Sequence, residues 1–172
     1  VLDDPRAIEL FQTAGDLNTP VVLHIDTPSL NGIYQEDWYG GEIDTLERAL
    51  SKCPNTIFVG HAPGFWRHIS GNENTDPEKY PSGPVTPGGR LFDMLTQHKN
   101  LWADLSAGSG LNALKRMDDG GLNFLIENQD RLLFGRDAPG NALQEYLNDL
   151  NLSDNVAAKI YHQNALRLGP LN

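Results

Sequence analysis

A single cysteine, Cys53, stands among 172 residues. Without a second thiol, an internal disulfide and a cysteine-based zinc site are both excluded. Its flank, ERALSKCP, places it on the apolar side of a helix as a buried, inert thiol. Long hydrophobic runs are missing too. The longest are short stretches such as VVLHI and RLLFG, far below the roughly 18–20 residues a membrane helix needs. Basic charge is scarce: 13 Lys and Arg against 23 Asp and Glu give a formal net charge of −10. No basic stripe can neutralise phosphates, so nucleic acid is excluded as a partner. A methionine start and a basic-then-apolar leader are also absent. The chain opens at Val1 and is expected to be processed, truncated or cut from something longer. Its compartment is not legible from such an N-terminus, and the cytoplasm is the default expectation.

What is present reads as globular. Hydrophobic residues at 39% and charged residues at 21% suit one domain over residues 1–172 with its own core. Short β-type runs alternate with helical periodicity. Asp4-Pro5 opens a helix with an N-cap and a first-turn proline, and Ala7, Leu10, Phe11, Ala14 and Leu17 form its buried stripe. PVVLHID follows, a continuous run of the kind found in buried parallel strands. A helix from about Glu42 to Lys52 buries Ile43, Leu46, Ala49 and Leu50 and leads into the strand NTIFVGH. A helix around Arg90 to His98 precedes NLWADLS, and a pattern near Leu122 to Asn128 precedes RLLFGRD. Helices at about Asn141–Leu150 and Val156–Leu168 finish the chain, the last capped by Ser153. Four strand–helix units in a row imply an α/β fold with a parallel sheet.

Two long loops interrupt the cycle. Residues 27–41 are rich in Gly, Pro and aromatics (Tyr34, Trp38, Tyr39), and residues 62–89 have no periodicity. Loops of such length are usually functional or disordered. Both follow a strand, the side where parallel α/β folds carry their sites.

Three polar residues occupy equivalent places after apolar runs: His24 ending the first strand, His61 the second, and Asp137 just past the fourth. Two imidazoles and a carboxylate on one rim make a donor set for zinc, manganese or iron. A metal-bound water loses its proton near neutral pH, and a neighbouring carboxylate can receive it. Each residue alone also reads as a structural group, and Asp137 as a cap for the helix near Asn141. Asp104 and Ser106, on alternate positions of the third strand, read equally as interior site groups or as a satisfied polar pair. Phe65-Trp66-Arg67-His68 either lines a substrate pocket or packs on its own sheet. His162 reads as structural and His98 as a surface group.

The segments VVLHID, FVGHAPG, NLWADLSAG, RLLFGRDAPG and KIYHQNALRL, in this order and spacing, resemble strands five to eight and the last helix of the amidohydrolase-related family. The resemblance covers essentially the whole chain. It implies the C-terminal half of a (β/α)8 TIM barrel, with His24 and His61 in the metal centre and Asp137 as ligand and proton-accepting base. It further implies a divalent metal, zinc first, and a small-molecule substrate; Phe65, Trp66 and Arg136 are the candidate substrate contacts that the residues themselves suggest. The family's His-x-His on strand one and any strand-four ligand would precede Val1, so the chain holds part of a coordination sphere. The family's Gly-Ser-Asp is Gly135-Arg136-Asp137 here, which sets a cation beside the key carboxylate, free to pair with a substrate carboxylate or to form a surface ion pair.

The activity implied is hydrolysis of an ester, lactone or amide. Non-oxidative decarboxylation of an aromatic or unsaturated acid is the second reading, and a non-catalytic half-barrel the third. A full barrel takes about 250 residues. Four strands are therefore expected to leave two open sheet edges and an inner face, with Val22 and Phe58, lacking its opposite wall. Self-association, or a missing N-terminal half, would cover them.

Overall fold

The computed structural model describes residues 1–25, 43–72 and 78–169. Helix α1 (Pro5–Asp16) starts where Asp4 accepts the Arg6 N–H at 3.0 Å and Pro5 occupies the first turn. Strand β1 (Val21–His24) is followed, past the Gly-rich loop of residues 27–41 that lies outside the described residues, by α2 (Ile43–Lys52). Next come β2 (Phe58–His61), a short α3 (Pro63–Trp66), α4 (Arg90–Gln97) and β3 (Leu101–Asp104). Helices α5 (Ala107–Arg116) and α6 (Leu122–Glu127) lead to β4 (Leu132–Leu133). The chain ends on α7 (Ala142–Asp149), α8 (Asp154–Ala158) and α9 (Asn164–Leu168), the last two joined through a π-helical turn at Lys159–Gln163.

The four strands form one parallel sheet in the order β1-β2-β3-β4. Such runs pair in parallel because each is apolar on both faces and is reached through a helical crossover. Two segments fold as helix where the sequence reading had none. Residues 107–116 form a ten-residue helix where no helical pattern was read, because Gly108, Ser109 and Gly110 carry low helix propensity. Residues 63–66, read as irregular loop, form the turn of helix α3.

Side-chain alternation sorts the sheet into two faces. Val21, Leu23 and Phe58 lie on the helix-covered side, where Phe58 meets Phe11 edge-on at 5.1 Å. The register pairs Val22 with Val59 and His24 with His61, so these four share the opposite, inner face. Phe58 therefore does not share a face with Val22, contrary to the sequence reading; the two are one residue out of phase. Val22 remains 64% exposed while Phe58 is fully buried.

The buried line of α1 also differs from the expected stripe. Phe11 and Gly15 are its buried residues, whereas Leu10 and Leu17 are 65% and 70% exposed. The Thr56 hydroxyl donates to Phe11 O at 2.7 Å, and a Cβ on Gly15 would lie 2.6 Å from Thr56 Oγ1. This close approach seats the helix on its Phe11–Gly15 line and turns Leu10 and Leu17 outward.

The sheet edges are unequal. Arg131 O and Leu133 O accept from Ala103 of β3 and from Leu105 just beyond it, so the backbone groups of residues 132 and 134 point away from β3. Those groups are taken by the C-terminal segment: Phe134 N–H donates to Ile160 O at 2.9 Å, and the Asn164 amide donates to Leu132 O at 2.8 Å. The expectation of two open edges is thus corrected for β4, whose outer side is sealed by the chain's own last helices. Among the described residues no helix is long and apolar enough to cross a membrane.

Candidate metal and catalytic site

His24 and His61 end their strands at matching register positions, which places both imidazoles at the C-terminal rim on the inner face. Their ring centroids are 5.2 Å apart, tilted by 60°. His24 is exposed and His61 buried. Asp137 comes from the loop after β4, with a left-handed backbone at φ 58°. Its Oδ2 lies 3.6 Å from His61 Nε2.

The glycine before it makes this approach feasible. A Cβ on Gly135 would stand 3.1 Å from both Asp104 Oδ1 and Ser106 Cβ, tighter than ordinary contact. A side chain there would press on Asp104 and Ser106, so glycine lets the exit of β4 lie against β3 without displacing them. The Ala107 N–H then donates to Arg136 O at 3.1 Å, tying the start of α5 to the same loop.

On its other nitrogen His61 meets β3. Nδ1 is 2.9 Å from Asp104 Oδ2 and 3.2 Å from Ser106 Oγ. The Ser106 hydroxyl donates to the same Asp104 oxygen, and the Ser106 N–H donates to Asp104 Oδ1 at 3.0 Å. The bond to Asp104 holds the His61 imidazole above its ordinary value; burial opposes this, and the charges of Asp104 and Asp137 assist it. Asp104 and Ser106 were legible as interior site groups or as a satisfied polar pair. That His61 is their partner follows from the strand register.

Phe65 and Trp66 are buried in the core, the packed alternative of the two readings. The Phe65 ring occupies the space over Gly60, where a Cβ would come within 2.1 Å of it. The indole N–H of Trp66 donates to Asp104 O at 2.9 Å, and its ring meets Phe124. Apolar rings beside a glycine gap are drawn into it by burial. Arg136 is exposed and donates to Asn141 Oδ1. It helps line a recess of about 190 Å³ with Phe134, Ala138 and Leu143. None of His24, His61 and Asp137 lines that recess.

The donor chemistry fits a divalent ion. Bonds of about 2.1 Å in a tetrahedral shell separate two donors by roughly 3.4 Å, close to the 3.6 Å between His61 Nε2 and Asp137 Oδ2. As they stand, no three His, Cys, Asp or Glu side chains among the described residues converge tightly enough to hold an ion. His24 would have to swing toward the pair.

A parallel sheet of strand–helix units, with imidazoles and a carboxylate on its C-terminal rim, is the plan of the metal-dependent barrel enzymes. The chain belongs to the amidohydrolase family, whose profile matches residues 1–171. No curated protein matches it in sequence. Among solved structures it is similar to a dihydroxybenzoic acid decarboxylase from Polaromonas sp. JS666 with bound manganese and the inhibitor 2-nitroresorcinol. That match has 18% identity and a TM-score of 0.55, over 97% of this chain and 54% of the other. It is also similar to a 2,6-dihydroxybenzoate decarboxylase complexed with 2,6-dihydroxybenzoate, at 17% identity and a TM-score of 0.52, over 97% and 56%. A 2,6-dihydroxybenzoate decarboxylase from Rhizobium matches at 18% identity and a TM-score of 0.50, over the same shares. At these identities the likeness is one of fold. The chain spans a little over half the length of these structures.

Proposed function

We propose that the four strands are the fifth to eighth of an amidohydrolase barrel, and that the chain supplies the C-terminal part of its active site. His24, His61 and Asp137 would hold a divalent ion, zinc or manganese. The observation that carries this reading is the 3.6 Å approach of Asp137 to the Nε2 of a buried His61. Bound there, the ion would acidify a water and polarise a substrate carbonyl. The half-exposed Asp137 carboxylate can take the proton and later return it to the leaving group. His61, immobilised from its other side, keeps its geometry while this happens. The reaction this arrangement suits first is hydrolysis of an ester, lactone or amide.

A second reading has its own support. The solved structures of similar fold are decarboxylases of dihydroxybenzoates, one of them holding manganese. In that case Arg136, exposed beside Asp137, would meet the acid group of a planar substrate and Asp137 would handle the proton.

Titration calorimetry with zinc and with manganese tests the site. Weak binding that disappears in Asp137→Asn and in His61→Gln supports it; binding that survives both substitutions, and His24→Ala as well, sinks it. Carbon dioxide release from hydroxybenzoates, set against an ester, lactone and amide panel, then separates the two reactions.

A further inference from the structure

The carboxylate of Asp104 is held at every point where it could turn. Oδ2 lies 2.9 Å from His61 Nδ1 and accepts from the Ser106 hydroxyl, Oδ1 accepts the Ser106 N–H, and Asp104 O accepts the Trp66 indole. An ionised carboxylate has no hydrogen to give. A neutral imidazole carries one proton on one of two nitrogens, and the hydrogen bond at the other decides which. With the proton on Nε2, the Nδ1 lone pair would face a carboxylate oxygen 2.9 Å away, two acceptors in contact.

We propose that Asp104 is a positioning residue that locks His61 in its Nδ1–H tautomer, so that the Nε2 lone pair is presented to Asp137 and whatever binds between them. Ser106 acts on Asp104, holding the carboxylate in place. Trp66 fixes the backbone of the same residue, which gives a buried aromatic a part in the site without any contact to substrate. Gly135 links the two sides of the device. The close pass it allows over Asp104 and Ser106 is the same one that brings Asp137 within reach of Nε2. A carboxylate behind a metal-facing histidine sets its orientation and basicity, and this inference rests on His61 being a site residue.

The test uses the metal-free chain labelled with nitrogen-15 in its histidines, at alkaline pH where the ring is neutral. A long-range proton–nitrogen correlation spectrum, assigned with His61→Gln, reads the tautomer directly. The expected wild-type result is a pyrrole-type Nδ1 and a pyridine-type Nε2. Asp104→Ala should lose that pattern and shift the proton to Nε2, with the His98 and His162 signals unmoved. Ser106→Ala should keep it. An Nε2–H tautomer in the wild type, or an unchanged one in folded Asp104→Ala, overturns the proposal. So does loss of the pattern in Ser106→Ala alone, which would make Ser106 the partner that matters. Should Asp104→Ala not fold, the wild type still decides: the bonded Nδ1 proton must appear as an exchange-protected, far-downfield resonance, and its absence from a folded chain refutes the lock. Because no ion is present, a failed metal titration would sink the functional reading and leave this result standing.

Discussion

The side-chain amide of Asn164, wholly buried, donates to Leu132 O at 2.8 Å on the side of β4 where no strand lies among the described residues. The same nitrogen donates to Gln129 O at 2.6 Å. With Ile160 O, which accepts the Phe134 N–H, this residue closes the β4 end of the sheet.

Asn164→Leu, of similar volume, should therefore be costly. The buried Leu132 carbonyl and the part-buried Gln129 carbonyl would both lose their donor, and a buried carbonyl left unsatisfied costs about 1–3 kcal/mol. Urea unfolding should show a loss of about 2–4 kcal/mol. A loss below about 1 kcal/mol would mean that water or another group satisfies Leu132 O.

Much of the architecture could be read before the structure, and the reason is local. VVLH, FVGH and LWAD are apolar on both faces, so each announces a buried parallel strand, and equal register then aligns His24 with His61. What escaped reading depends on distant space. The sequence does not say that Gly60 leaves a hole for Phe65, that Gly135 lets one loop lie against Asp104, or that Asn164 reaches back to β4. The helix at Ala107–Arg116 forms despite its glycines, Gly110 packing where a Cβ would lie 2.5 Å from Leu105 O. Tertiary packing there overrides a weak local preference. Three positions of the candidate site were legible as one rim, and Asp104 as an interior group or half of a polar pair. That His61 is its partner becomes visible only once β2 and β3 are set side by side.

Gly60→Ala tests the packing beneath the site. The new methyl would sit 2.1 Å from the Phe65 ring, inside van der Waals contact. Phe65 is fully buried and held in a short helix directly after His61, so it has little room to yield. Overpacking of this kind costs about 1–3 kcal/mol. The double variant Gly60→Ala with Phe65→Leu should recover part of the loss. Equal stability of the wild type and Gly60→Ala in chemical denaturation would show that the ring moves freely.

His68 should give the fold an acid-sensitive window. Burial pushes its imidazole down to about 4; the charges of Arg67 and Arg90 act the same way, and Asp44 opposes them. The unfolded chain takes up this proton near 6.5 and the folded chain only near 4. Between those values the unfolded state binds more protons, so stability falls as pH falls. The contribution is complete above the unfolded value and gone by about pH 4, in all about 3 kcal/mol. His61, raised by its bond to Asp104, has the opposite sign and loses its contribution as pH rises. Asp44, lowered by its bond to Arg90, matters only at more acid pH, below its ordinary value of 3.8. Urea unfolding from neutral pH down to about pH 4 should therefore show a flatter profile for His68→Gln than for the wild type. Parallel profiles would remove His68 as the cause.

The last expectation concerns β1, whose outer side no other strand pairs among the described residues. The β4 side is sealed by Asn164 and Ile160, whereas β1 is the other end of the sheet and carries Val22, 64% exposed on the inner face. An apolar terminal strand invites pairing with another chain. Two copies cannot close head to tail unless the last helices are displaced from β4, so the contact available to them is β1 against β1 about a two-fold axis, self-complementary by symmetry. Light scattering at rising protein concentration should show a monomer passing into a dimer. Val22→Lys would place two like charges at the centre of that contact and should weaken it about tenfold or more, the equivalent of about 1.4 kcal/mol. The same substitution, at an exposed position, should leave unfolding within about 0.5 kcal/mol of the wild type. A chain that stays monomeric throughout, or a Val22→Lys variant that dimerises as well as the wild type, would show that the β1 edge is closed by something other than a second copy.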